Sequence, residues 1–229
     1  LAMSSAASDV YKRQMHHNHF KMFLPEIFLA TSILVMTLHA SLLVTSKRLG
    51  YPILTSSFGK LSILVLFLTF LLVNNNPIAF MLTYQNTFIF DLLTANVKQI
   101  LLLSTICCLF IFEENLLRQQ INNFEYFILI LCAVLGLLFL VSSYDLISMY
   151  LAIEMQSLCL YVLAASKKNS SFSTEAGLKY FLLGSFSSAL LLFGMSILYG
   201  CTGTTNFENY TILFSGVDVS TFSTSESIS

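Results

Sequence analysis

Apolar residues are gathered into six long runs, separated by short segments that hold most of the polar residues. The runs cover approximately residues 23–45, 58–74, 97–112, 125–142, 145–166 and 175–200. Most of them reach or approach the roughly 17–25 residues that an α-helix needs to cross a bilayer. The third run is short, and its helix is expected to extend back towards Asp91. The pattern predicts an all-α integral membrane protein with about six transmembrane helices.

Composition supports this class, because 56% of the residues are hydrophobic and only 10% are charged, against roughly 25% charged in soluble domains. The net charge of −1 leaves no basic patch that could neutralise phosphates, so nucleic acid is excluded as a partner. Membrane lipids are the expected surroundings.

Residues with obvious chemistry are few. The five cysteines show no C-x-x-C spacing and are interpreted as small buried hydrophobes. His16, His17 and His19 could bind a metal ion, but histidines at a terminus without carboxylate or cysteine support are more often solvated. No phosphate-binding glycine loop or nucleophile elbow is present. We therefore predict no catalytic residue, no cofactor-binding residue and no metal ligand in this chain.

The two ends differ in composition from the middle. Residues 1–14 are small and polar and begin on Leu, so we interpret them as a non-native or processed leader; a mitochondrial transit peptide is the alternative. Residues 15–22 form a short N-terminal tail, 23–208 the transmembrane helical domain, and 209–229 a polar C-terminal tail.

Charges in the loops predict the orientation. Basic residues follow the first, third and fifth helices, whereas the segments 75–96 and 143–144 contain none. The basic positions are Lys47, Arg48, Lys60, Arg118, Lys167 and Lys168. The positive-inside rule therefore places these loops in the matrix or cytoplasm, and both chain ends on the opposite, electrically positive side.

One carboxylate, Glu154, lies near the middle of the fifth run. Burying it ionised in hydrocarbon costs roughly 2.5–3.5 kcal/mol even on insertion scales. Tyr150, Ser157 and Tyr161 lie on the same helix face, at i−4, i+3 and i+7. Glu154 is either a protonated packing residue or a titrating group in a proton or ion path. The second interpretation is favoured, with Tyr150 and Ser157 beside it.

The sixth helix carries Lys179 near its matrix-side start. Lys179 is interpreted either as a proton-path residue or as half of a surface ion pair with Glu175. Thr174 or Ser173 is expected to cap this helix, with Glu175 near its positive end. Small residues that allow close approach of another helix are Gly184, Ser185 and Ser188.

His39 lies deep in the first helix. A lone histidine there is usually a packing residue, and a place in the proton path is the alternative.

Two segments carry a resemblance to a known family. "SYDLISMYLAIEMQSLCLYVLAASKK", followed by "FSTEAGLKYFLLGSFSSALLLFGMSILYGCTGTTNF", closely resembles the subunit 2 family of NADH:ubiquinone oxidoreductase, respiratory complex I, of mitochondrial type. "LPEIFLATSILVMTLHASLLVTSKRLGYP" resembles the beginning of the same antiporter-like subunits. The resemblance is strong over 143–207 and looser over 53–125.

The resemblance implies a membrane-arm subunit that contributes to proton translocation, driven by electron transfer from NADH to ubiquinone. Glu154 matches the glutamate of the family's fifth helix and Lys179 the lysine of its sixth. The complex as a whole would use NADH, FMN, iron–sulfur clusters and ubiquinone, none of them bound by this chain. A basic partner on a neighbouring helix would offset the cost of burying Glu154.

The family's seventh and later helices have no counterpart in this sequence. The chain is then the N-terminal portion of the subunit, either a fragment or one half of a split subunit whose other half is a separate chain. Its partners would be the other membrane-arm subunits, and its location the mitochondrial inner membrane. The alternatives are a cation/proton antiporter subunit and a purely structural membrane-arm piece.

Overall fold

A computed structural model describes residues 21–44, 51–76, 81–83, 86–118, 124–167 and 170–215. Six long helices and a short seventh helix account for most of them, with one two-stranded hairpin. In chain order the elements are α1 (Leu24–Val44), α2 (Tyr51–Asn74), β1 (Met81–Thr83), β2 (Phe88–Phe90), α3 (Leu92–Arg118), α4 (Glu125–Ser142), α5 (Leu146–Ala164), α6 (Ser171–Thr202) and α7 (Phe207–Ser215).

The helices α1 to α6 are each long and apolar enough to cross a membrane, which confirms the predicted fold class. α2 begins at Tyr51, earlier than its apolar run, and α3 begins at Leu92, directly after Asp91. The Asp91 carboxylate accepts a hydrogen bond from the Leu92 N–H at 2.6 Å. Thr94 Oγ1 accepts one from the Asp91 N–H at 2.9 Å. These contacts stabilise the first turn of α3, which precedes the apolar run 97–112.

The start of α6 differs from the prediction. The helix begins at Ser171, with Ser170 as the extended residue before it and no side-chain cap. The predicted caps lie inside the helix, and Ser173 instead donates its hydroxyl to the carbonyl of Ala164 at 2.9 Å. The cap prediction is therefore wrong, because the helix begins before both residues and the Ser173 hydroxyl bonds to the last residue of α5. Glu175 consequently lies beyond the first turn of α6.

α4 is the central helix of the bundle. It packs against α1, α2, α3 and α5, and its residues Leu131 and Leu138 are completely buried. Its sequence is apolar on every side, which suits a helix surrounded by others. The core therefore lies around α4, with Leu29 of α1, Leu66 of α2 and Leu102 of α3 also fully buried against it.

Glycines set the close contacts between α4, α5 and α6. A Cβ at Gly136 would lie 3.2 Å from the carbonyl oxygen of Ala152 in α5. A Cβ at Gly177 would lie 2.6 Å from the Cβ of Ala165, just after α5. Gly184 faces the phenol of Tyr161, as the small-residue prediction for this face requires. Small residues let helix backbones approach closely in a membrane, where dispersion contacts drive association.

A polar layer joins the helices at the end of the bundle opposite the predicted basic loops. The hairpin pairs β1 with β2, and its turn places Asn86 in the left-handed region, with φ 64°. The N–H of Tyr144 donates to the carbonyl of Thr87 at 2.8 Å, which connects the hairpin to the turn between α4 and α5. The side chain of Asn206 donates to the carbonyl of Asn86 at 2.8 Å. The hairpin therefore contacts both outer turns, the one before α5 and the one after α6.

The C-terminal segment is partly helical. The prediction placed a polar tail from residue 209 onward, whereas residues 209–215 belong to α7. Tyr210 is buried in α7 and donates its hydroxyl to the carbonyl of Thr204 at 2.5 Å. This contact fixes α7 to the turn that precedes it. The rest of the predicted tail, and the predicted leader 1–14, lie outside the described residues.

We expect Gly177→Ala to destabilise the packing of α5 on α6. The new Cβ would meet the backbone of Ala165 at 3.1 Å as well as its side chain, and overpacking of this kind typically costs about 1–3 kcal/mol. The measurement is the thermal stability of the chain in membranes or detergent. Gly194→Ala is the matched control, because a Cβ there meets no atom of the described residues within 4 Å. Equal stability of the two variants would contradict the close approach at Gly177.

Candidate proton-path site

Glu154 lies near the middle of α5, the ninth of its 19 residues. At about 1.5 Å per residue, its Cα is about 12 Å from the start of the helix and about 15 Å from its end. Glu154 as a whole is half-buried, and its Oε1 atom is buried without a hydrogen bond from any described residue. The structure thus contains a buried carboxylate oxygen near the middle of a helix that is long enough to cross a membrane, and no described residue donates a hydrogen bond to it.

The other polar residues on this face of α5 differ in the contacts that their side chains make. Ser157 donates its hydroxyl to the backbone carbonyl of Glu154 at 3.0 Å, so it contacts the helix and not the carboxylate. Tyr161 is buried, with its ring in edge contact with Tyr180 and Phe181 of α6, at centroid distances of 4.9 and 5.7 Å. Tyr150 is half-buried and lines a groove of about 740 Å³ between the outer halves of α5 and α6.

Lys179 forms an ion pair, but not with Glu154. Its Nζ lies 2.6 Å from Glu175 Oε1, one turn earlier on α6. The side chains are 74% and 58% exposed in this chain, so the pair resembles a surface ion pair, which contributes at most about 1 kcal/mol. This is the ion pair that the sequence offered as the alternative to a proton-path role. The structure therefore does not join the two predicted site residues directly.

His39 lies on α1, with its imidazole facing the ring of Phe58 in α2 at a centroid distance of 6.1 Å. The residue is exposed in this chain. This ring contact belongs to the α1–α2 interface. Its place in a proton path stays a prediction.

The described residues contain no cluster of three or more His, Cys, Asp or Glu side chains that could hold a metal ion. His16, His17 and His19 lie outside the described residues. Cys132 of α4 and Cys159 of α5 are free, half-buried thiols.

The sequence analysis did not predict the most buried ion pair among the described residues. Glu26 at the start of α1 and Lys98 on α3 are 2.5 Å apart, and their side chains are only 1% and 4% exposed. The Lys98 Nζ also lies 4.7 Å above the ring of Phe90 in β2, a cation–π contact. The available signal was Lys98 itself, a single charge inside the third apolar run, at the same membrane side as Glu26.

Comparison with known proteins agrees with this architecture. Residues 143–227 match the family described as NADH:quinone oxidoreductase/Mrp antiporter, TM. The chain is 44% identical over 209 residues to "NADH-ubiquinone oxidoreductase chain 2" of Marchantia polymorpha, covering 91% of this chain and 43% of the relative. It is 39% identical over 193 residues to "NADH-quinone oxidoreductase subunit N" of Paramagnetospirillum magneticum, covering 84% and 38%.

A solved structure shows the same fold. A chain of respiratory complex I from Thermus thermophilus, determined with bound aureothin, aligns with a TM-score of 0.61 and 28% identity. The alignment covers 80% of this chain and 38% of that chain. The protein described here thus spans less than half the length of the relatives that it matches. Within that span, the chain belongs to the antiporter-like membrane subunits of the NADH:quinone oxidoreductase family.

Proposed function

We propose that this chain is the N-terminal portion of a membrane-arm subunit of respiratory complex I, in which Glu154 takes part in proton translocation coupled to electron transfer from NADH to ubiquinone. The observation that carries the proposal is the buried, unpartnered Oε1 of Glu154 at mid-membrane depth. An ionisable residue within a membrane helix is by default a functional candidate, because its burial is costly for stability alone.

The proton path that we propose follows α5. On the outer side of Glu154, Tyr150 lines the open groove between α5 and α6 and would supply a hydroxyl next to bulk water. The hydroxyl of Ser157 is held by the helix backbone, so a role of Ser157 in proton transfer would require that bond to exchange. Lys179 would exchange protons on the matrix side, after separating from Glu175, which costs little for an exposed pair.

Glu154 needs a basic partner that the described residues of this chain do not provide. Removing one member of a buried ion pair typically costs about 3–5 kcal/mol, so an ionised Glu154 requires compensation from elsewhere. We propose that a lysine on a further helix of the assembled subunit supplies it. The surface of α6 supports this, because Gly177 is its one buried residue in this chain and large apolar side chains such as Phe186 and Leu183 are exposed.

The proposed partners are therefore the other membrane-arm subunits and the helices that complete the bundle, with a separate chain carrying the rest of the subunit as one arrangement. The proposed location is the mitochondrial inner membrane. The plant relative supports it, since this chain is 44% identical to it and 39% identical to the bacterial relative. In the assembled enzyme the NADH, FMN, iron–sulfur and ubiquinone chemistry would reside on other subunits, so this chain would move protons without carrying electrons.

A cation/proton antiporter subunit is a second candidate, because the matching family description includes the Mrp antiporters. The two functions differ in their partners. Copurification with subunits that carry flavin and iron–sulfur clusters would favour complex I, whereas a complex made only of membrane subunits would favour an antiporter.

We expect Glu154→Gln to reduce proton uptake per NADH oxidised several-fold in sealed vesicles, while the amount of assembled complex changes little. Gln keeps the size and hydrogen-bonding capacity of Glu but cannot ionise. Glu125→Gln is the control, since Glu125 is exposed at the start of α4, and we expect normal proton uptake from it. Unchanged proton uptake in Glu154→Gln at normal assembly would leave Glu154 a structural residue.

The loop that contains Lys167 is expected to face the matrix. Lys167 is exposed between α5 and α6, and basic loops remain on the side from which the membrane chain is inserted. Trypsin added to the outside of intact mitoplasts should leave the bond after Lys167 uncut, and should cut it once the membrane is opened. Cleavage in intact mitoplasts would reverse the proposed orientation.

A further inference from the structure

A second buried carboxylate, Glu26, lies beside a small cavity of mixed polar and apolar lining at the outer end of the bundle. The cavity has a volume of about 30 Å³ and lies between α1, the end of α2 and the start of α3. Its polar lining consists of Glu26, Asn76, Asp91, Thr94 and Lys98. A site needs roughly 10–15 Å³ of such volume for each water molecule, together with two to four polar partners. The cavity therefore has the size and the lining for one or two water molecules.

Both members of the Glu26–Lys98 ion pair can form further hydrogen bonds. Glu26 Oε1 binds Lys98, but Glu26 Oε2 is buried and accepts no hydrogen bond from a described residue. Lys98 has three N–H donors. Its contacts with Glu26 and with the ring of Phe90 account for two of them. An ionised carboxylate oxygen is a strong acceptor, and leaving it unbonded in low dielectric is costly.

The cavity also extends from the buried pair to an exposed residue, Asp91. Asp91 lines it and is exposed, whereas Glu26 is 1% exposed. Asn76 follows α2 and reaches the segment before α1 through its side-chain contact with the carbonyl of Met22 at 3.4 Å. The remaining neighbours of Glu26 in the cavity, including Pro25, Val73 and Phe90, cannot titrate. Lys98 and Asp91 are thus the ionisable side chains that share the cavity with Glu26.

We propose that one or two water molecules in this cavity hydrogen-bond to Glu26 Oε2 and link the Glu26–Lys98 pair to the outer surface at Asp91. Glu26 is then a second protonatable carboxylate of this chain, which exchanges protons with that surface through the water. The site is separate from Glu154 and does not depend on the transport role proposed for it.

The first test is a map of the complete wild-type complex at a resolution that shows ordered water. We expect one or two water molecules within hydrogen-bonding distance of Glu26 Oε2. A dry cavity, a metal cation in the cavity, or a protein group bonded to Glu26 Oε2 would each overturn the proposal. This test needs no variant, so it remains decisive if changes at Glu26 prevent assembly.

The second test is infrared spectroscopy of the membrane-bound complex as the pH of the medium is lowered. We expect a protonated-carboxyl band that grows at acid pH in the wild type, that is unchanged in Gly194→Ala, and that loses the contribution of one carboxyl group in Glu26→Gln. Identical titrating bands in Glu26→Gln and the wild type would show that Glu26 exchanges no proton. Neither readout involves proton pumping, so the result is independent of the outcome for Glu154.

Discussion

A bilayer offers no hydrogen-bonding partner to the backbone, and this constraint explains why helices form the middle of the bundle and irregular backbone lies at its ends. Each crossing segment is a helix, because only a helix satisfies its own N–H and C=O groups within one span. Irregular backbone is confined to the ends of the bundle. At the outer end it is not simply solvated, since the β1–β2 hairpin, the turn at Tyr144 and the turn at Asn206 bond to one another. These bonds in the outer polar layer thus hold the turn from which α5 begins.

The carboxylates within the helical bundle differ in whether a side chain of opposite charge lies beside them. Glu26 and Lys98 neutralise each other directly, and Phe90 covers the ammonium group. This pair lies between α1 and α3, so it also holds two helices in register at the outer end. Glu154 has no such partner among the described residues. Glu26 thus meets its opposite charge within this bundle, whereas Glu154 does not meet one among the described residues.

The bundle is unevenly packed around α4. That helix contacts four others, whereas α6 contacts the bundle chiefly through α5. Gly177 and Gly184 bring α6 close to Ala165 and Tyr161, yet the remaining circumference of α6 is apolar and exposed in this chain. The relatives are more than twice as long as the aligned part, and further helices of the family would have this surface available.

The sequence by itself determined the class of protein and the positions of the crossing helices, because apolar runs of sufficient length have one stable form in a bilayer. It also identified Glu154 as the carboxylate at mid-membrane depth, and Gly184 as a contact for a neighbouring helix. Only the tertiary structure decided which charges are paired. Lys98 is 72 residues from Glu26, and helical periodicity relates positions within a helix but not between helices. Local contacts such as Lys179 with Glu175 follow from i,i+4 spacing, whereas the burial of Glu26, its cavity and its lysine follow from how α1, α2 and α3 pack together.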